Sequence, residues 1–112
     1  MNREWFETKC LAPGYSSDWD FIVVDSKGEH LAFCVAWLYT ENKIAEIDPV
    51  GTHPDFRRKG LAKAVITNCF IKLWKNGIHE AQIIGFSDAA KKLYRSLNPV
   101  EEYEILEFIY KP

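Results

Sequence analysis

The chain has 112 residues, 47% of them apolar and 27% charged, with a formal net charge of −2. This is ordinary globular composition for one domain over 1–112, a lead segment 1–18 and a core 19–112. It excludes a nucleic-acid coat, which needs a basic face, and a membrane span, which needs roughly 18 consecutive apolar residues.

Three cysteines (Cys10, Cys34, Cys69) are odd in number and include no CxxC pair, so neither a metal site nor a disulfide frame is indicated. They read as small buried hydrophobes of a reducing, cytoplasmic compartment. MNREWFETKC carries no apolar run of signal-peptide length.

Residues 2–11 are weakly helical, with Trp5, Phe6 and Cys10 able to share a face. APGYSSD (12–18) is a loop by its Pro, Gly and Ser content. WDFIVVD (19–25) predicts a strand, SKGE (26–29) a hairpin turn, and HLAFCVAWLY (30–39) a second strand. That second strand is almost continuously apolar, the pattern of burial on both faces. TENK (40–43) is another turn, and IAEIDPVGT (44–52) a third strand. Pro49 and Gly51 should distort its ladder, since Pro cannot donate a bond and Gly often marks a bulge.

Leu61 to Lys75 is a helix. Leu61, Val65, Cys69 and Leu73 form one row at spacing four, and Ala62, Ile66, Phe70 and Trp74 the next. Asn76-Gly77 supplies its stop. IHEAQIIGF (78–86) is a strand. Ser87 or Asp88 then caps a short helix with Ala90, Leu93, Tyr94 and Leu97 inward. YEILEFIY (103–110) closes the chain as a strand of period two. The order β-β-β-α-β-α-β is an α/β arrangement with a mixed central sheet.

One stretch carries chemistry. GTHPDFRRKGLA (51–62) places two glycines, a proline and three consecutive cations directly before the long helix. The first turn of a helix has unpaired N–H groups and a positive dipole end, which together attract phosphate. Gly60 removes a side chain where phosphate oxygens would press on the backbone, Ala62 keeps the first turn low, and Arg58 and Lys59 add charge. The same composition also suits a solvated basic turn. The patterns GxGxxG and GxxxxGK[ST] are both absent.

AEIDPVGTHPDFRRKGLAKAVI (45–66) resembles the central motif of the GCN5-related N-acetyltransferase superfamily, Q/R-x-x-G-x-G/A, met here by Arg57, Gly60 and Ala62. AAKKLYRSL (89–97) resembles the family's second motif. The likeness covers residues 19–112 and implies acetyl-CoA as co-substrate, with no metal. It implies that the backbone N–H groups of Arg58, Lys59, Gly60, Leu61 and Ala62 hold the pyrophosphate. The pantetheine arm would lie along Val50, Gly51 and Thr52, like an extra strand where two parallel strands splay apart. The distorted strand would aim a backbone N–H at the thioester carbonyl.

The implied reaction is direct attack of a primary amine on the thioester. At pH 7 only about one in 2,500 lysine-type amines is neutral, so a general base helps. Glu46 matches the catalytic glutamate of the histone-acetylating branch. By alternation it shares a face with Asp48, Val50 and Thr52. A carboxylate in open water is a weak base, so burial or a water relay must assist. Tyr94 takes the family's Leu-Tyr position, where its phenol would protonate or hydrogen-bond the departing thiolate. The plain alternatives are a surface carboxylate at Glu46 and a core tyrosine at Tyr94. His53, before a proline in a turn, reads as structural.

Departures from the family pattern are specific. Ser87 stands where many members carry an asparagine that bonds the CoA, and a hydroxyl reaches less far. Asn98-Pro99 replaces the usual Gly-Phe. Only residues 1–18 precede the first strand, so most of the usual N-terminal strand and helices are lacking. An uncovered sheet edge invites pairing, so a homodimer completing the sheet or acceptor site is one expectation. Membership of a longer parent and a non-catalytic CoA-binding module are the others. A nucleic-acid module built on Arg57, Arg58 and Lys59 is the remote alternative, disfavoured by overall acidity. The acceptor is expected to be a small-molecule or peptide amine, with no nucleic-acid or membrane partner. Net negative charge leans toward cationic acceptors.

Overall fold

The structure, a computed structural model, describes residues 17–57, 59–103 and 107–112. The helix expected over 2–11, most of the 12–18 loop, Cys10 and Arg58 lie outside those residues.

The first chain reversal is set by Asp25. Its carboxylate accepts the amide protons of Lys27 at 2.8 Å and Glu29 at 2.9 Å, a side-chain-closed turn. The turn joins β1 (Asp20–Val24) to β2 (His30–Tyr39) as an antiparallel hairpin. A second turn over 40–43 leads into β3 (Ile44–Thr52), again antiparallel. β2 is buried at Leu31, Ala32, Cys34, Val35 and Ala36, so both of its faces are covered, as its apolar run predicts.

Helix α1 (Leu61–Lys75) follows the two predicted rows: Val65, Ile66, Cys69 and Leu73 are buried, with Phe70 and Trp74 packed beside them. It stops at Asn76-Gly77. The amide of Ile78 reaches back to the Leu73 carbonyl at 3.1 Å, and Gly77 adopts φ +81°. β4 (Glu80–Ile84) then runs parallel to β3. Ser87 caps α2 (Asp88–Ser96), its Oγ accepting the Ala90 amide proton at 3.0 Å.

The chain ends in a hairpin of β5 (Glu101–Glu102) and β6 (Glu107–Tyr110). This corrects the single strand expected over 103–110. Tyr103 donates its amide to Glu107 O at 2.9 Å, so the chain is already turning there. A two-residue strand is too short for any periodicity to reveal. β6 also departs from period two: Phe108, Ile109 and Tyr110 are all buried. Two other strands are shorter than expected. β1 begins only after a 3-10 turn at Ser17–Trp19, and the Ile78 amide belongs to the stop of α1.

The sheet order is β1-β2-β3-β4-β6-β5, mixed because only β3 and β4 are parallel. α1 and α2 both pack on one core, bridged by Tyr110. Its ring lies 4.8 Å from that of Phe70, and its hydroxyl donates to the Tyr94 carbonyl at 2.6 Å. Cys34 and Cys69 are fully buried free thiols, as expected of small hydrophobes. Among the described residues, no helix is long and apolar enough to cross a membrane.

This core makes stability fall at alkaline pH. Burial, above all, pushes the Tyr94 and Tyr110 phenols above their ordinary value. The Cys34 thiol is pushed up by its hydrogen bond with Cys69 and then by burial. The folded chain therefore keeps protons that the unfolded chain releases. The stability these groups contribute is fully present below about pH 8.5, the ordinary thiol value, and is lost as pH climbs past about 10. Urea melts are expected to show midpoints falling steadily above about pH 9. A flat series would mean that these groups titrate as they do in water.

Candidate active site

The site begins with a break in β3. Ala36 pairs with Ile47 but Cys34 pairs with Val50, so Asp48 and Pro49 both stand opposite Val35. This bulge is the distortion expected of a strand that holds Pro49 and Gly51, and it falls at the proline. On the other side, β3 pairs with β4 only from Ile44 to Glu46, against Glu80 to Gln82. Beyond Glu46 the two parallel strands part. A bulge bends and over-twists its strand, and this one lies where the pairing stops.

The extra residue also reverses side-chain alternation. Glu46, opposite Trp37, points away from the helices. Val50, opposite Cys34, packs against the core that α1 and α2 cover. The expectation that Glu46 shares a face with Val50 and Thr52 is therefore corrected, and Asp48 stands in the bulge itself. The backbone carries the useful consequence. The His53 amide donates to Leu31 O at 2.7 Å, toward β2. Alternation then turns Gly51 toward β2, and the amides of Val50 and Thr52 away from it, into the gap beside β4.

Gly51 also lies against a side chain, the half-buried ring of Phe33. A Cβ there would lie 2.3 Å from Phe33 Cε1 and 2.8 Å from its Cζ, because the ring lies across the strand. Gly51→Ala is expected to cost about 1–3 kcal/mol by overpacking. Adding Phe33→Leu should recover part of that loss in a double-mutant cycle. Strict additivity in denaturant melts would contradict this reading.

After β3, His53 turns the chain. Its Nδ1 accepts the Asp55 amide proton at 3.1 Å, starting a 3-10 turn at Pro54–Phe56. The role is structural, as expected. Arg57 is exposed, and the Lys59 ammonium sits 5.2 Å from the centroid of the Phe56 ring. Gly60 adopts φ +77°, a left-handed value that glycine takes without penalty, and open space surrounds the position of its missing Cβ. Among the described residues, no side chain caps the start of α1 at Gly60. The helix therefore offers its first-turn N–H groups, including those of Leu61 and Ala62, at an approachable surface.

Three side chains converge on the splay from other directions. Glu46 is half-buried, and its Oε2 accepts the Tyr39 hydroxyl proton at 3.3 Å. The Trp37 indole donates to the Asp48 carbonyl at 2.8 Å. Tyr94 arrives from α2 across Gly85, just past the end of β4. A Cβ on Gly85 would lie 2.8 Å from Tyr94 Cδ2, so this approach needs glycine. Burial, then the Asp48 carboxylate and Cys34, holds the Tyr94 phenol above its ordinary pKa. The proton stays on the oxygen at neutral pH, the state a general acid needs. Ser87, expected near the cofactor, uses one Oγ lone pair on the α2 cap, which leaves its O–H and a second lone pair.

Trp37 and Tyr39 went unnoticed in the sequence. The four-residue turn over 40–43 sets the register of β2 on β3, and so puts Trp37 opposite Glu46. Counting back from that turn would have found them. Across Gln82, the partner of Glu46 on β4, a cavity of about 330 Å³ is lined by Glu80, Gln82, Glu101, Tyr103, Glu107 and Ile109.

Comparison with known proteins fits this geometry. Tetrahymena GCN5 superposes with a TM-score of 0.75 over 99% of this chain and 76% of that one, at 9% identity. A GNAT family N-acetyltransferase from Escherichia coli (YhbS), solved in complex with CoA, gives 0.66 over 80% of this chain and 56% of that one, at 13% identity. A curated relative, an uncharacterized N-acetyltransferase of Chlorobaculum tepidum, is 31% identical over 65 residues, which is 58% of this chain and 41% of the relative. The match thus spans under half of that protein. Residues 2–98 match the model of the Acetyltransferase (GNAT) family, and the chain belongs to that family.

Proposed function

We propose that this chain is an N-acetyltransferase that moves the acetyl group of acetyl-CoA to a primary amine by direct attack. The observation that carries the reading is the splay after Glu46 and Gln82, with the Val50 and Thr52 amides turned into it. A pantetheine arm can pair there as a strand would, while the uncapped start of α1 takes the diphosphate.

In this reading Glu46 takes a proton from the ammonium, directly or through water, and the amine nitrogen attacks the thioester carbon. The Val50 N–H stabilises the oxyanion that forms. As the C–S bond breaks, the electron pair goes to sulfur, Tyr94 donates its phenolic proton to it, and the second proton that the attacking nitrogen loses as the amide forms returns to the phenolate through water. The carboxylates of the cavity beyond Gln82, Glu80, Glu101 and Glu107, support a cationic acceptor, since they create a negative potential beside the site.

Isothermal calorimetry with acetyl-CoA tests the reading. Saturable heat and a raised melting temperature are expected. No heat and no thermal shift at millimolar ligand would end it.

A further inference from the structure

A bulge leaves backbone groups without ladder partners. At this one the peptide joining Asp48 to Pro49 has no N–H, so its carbonyl is its sole hydrogen-bonding group. That carbonyl is taken by the indole of Trp37, Nε1 to O, at 2.8 Å. Trp37 stands opposite Glu46, and Asp48 is the diagonal neighbour two residues further along β3. Cβ atoms so related are about 7–8 Å apart, a span that a large aromatic side chain bridges. A phenyl ring carries no donor to offer at the end of it.

The held peptide lies one residue before the Pro49–Val50 peptide, which carries the Val50 N–H. The proline ring fixes φ at residue 49, so only ψ of Pro49 separates the held plane from that of the first free amide of the bulged strand. Val50 N–H is turned toward the gap, and no bond to β4 holds it there. We infer that Trp37 is a positioning residue for acyl transfer: its indole N–H locks the Asp48–Pro49 peptide and so aims the Val50 amide at the thioester carbonyl. Tyr39, two residues along β2, holds Glu46 by its hydroxyl at 3.3 Å. One strand thus orients both the oxyanion donor and the base, from the face away from the helices.

This inference rests on the acetyl-CoA reading, and the test separates the two. Acetyl-CoA labelled with carbon-13 at the thioester carbonyl is bound to the wild-type chain and to Trp37→Phe, and the carbonyl stretch is followed by infrared spectroscopy. In the wild type the band is expected to move to lower frequency, as an aimed N–H polarises the bond. In Trp37→Phe about half of that shift or more is expected to vanish, while the dissociation constant changes by less than about threefold, because the diphosphate contacts are untouched. A variant that keeps the full shift overturns the role of Trp37. A wild type that binds no acetyl-CoA overturns the underlying reading instead.

Should Trp37→Phe not fold, the wild-type indole proton decides. Slow exchange with solvent when acetyl-CoA is bound supports the lock, and exchange as fast as a free indole overturns it.

Discussion

Glu46→Gln is expected to lower kcat by about a hundredfold to ten-thousandfold, the usual worth of a positioned base. The amide is isosteric and can still accept the Tyr39 hydroxyl proton, now made at 3.3 Å, so the fold should be unaffected. Acetyl-CoA affinity should also hold, because Glu46 points away from the face that carries Val50 and lies far along the chain from Gly60. The loss should have a pH signature. Between about pH 7 and pH 9 the neutral fraction of a lysine-type amine rises about a hundredfold, so the need for a base fades and the deficit narrows. Initial rates of thiol release against a panel of amines measure this. A rate unchanged by the substitution removes Glu46 from the mechanism.

Tyr94→Phe is expected to lower kcat by about a hundredfold with little change in melting temperature. The ring keeps its packing on Gly85 and its edge contact with Phe108, centroids 5.7 Å apart. The bond from Tyr110 survives too, since it ends on the backbone carbonyl of residue 94. Only the hydroxyl is lost. Its pKa lies above the ordinary phenol value, so it stays protonated through the working range. The thiolate needs that proton most below its own ordinary pKa of about 8.5, and the deficit is expected to be largest there and to shrink above it. A deficit that is constant with pH, or a large drop in melting temperature, would make Tyr94 a core residue and nothing more.

What could be read along the chain is local. The two rows of α1 and its stop at Asn76-Gly77 depend on residues within one turn of each other, and they came out as expected. So did the β2 run and the Ser87 cap. The turn before α1 was legible for the same reason, because Gly60 and the helix after it are contiguous. The short β5 strand was not, since two residues carry no period.

The order of the longer elements, the helix ends and the turn at Gly60 follow from spacing and turn chemistry, which neighbours in the chain settle between themselves. Which side chains meet at the splay does not. One inserted residue at Asp48-Pro49 reverses every later orientation in β3, and pairing with a distant strand absorbs it. The bonds from Trp37 and Tyr39, and the approach of Tyr94 over Gly85, exist because β2, β3, β4 and α2 pack together, a contact energy that no single segment contains.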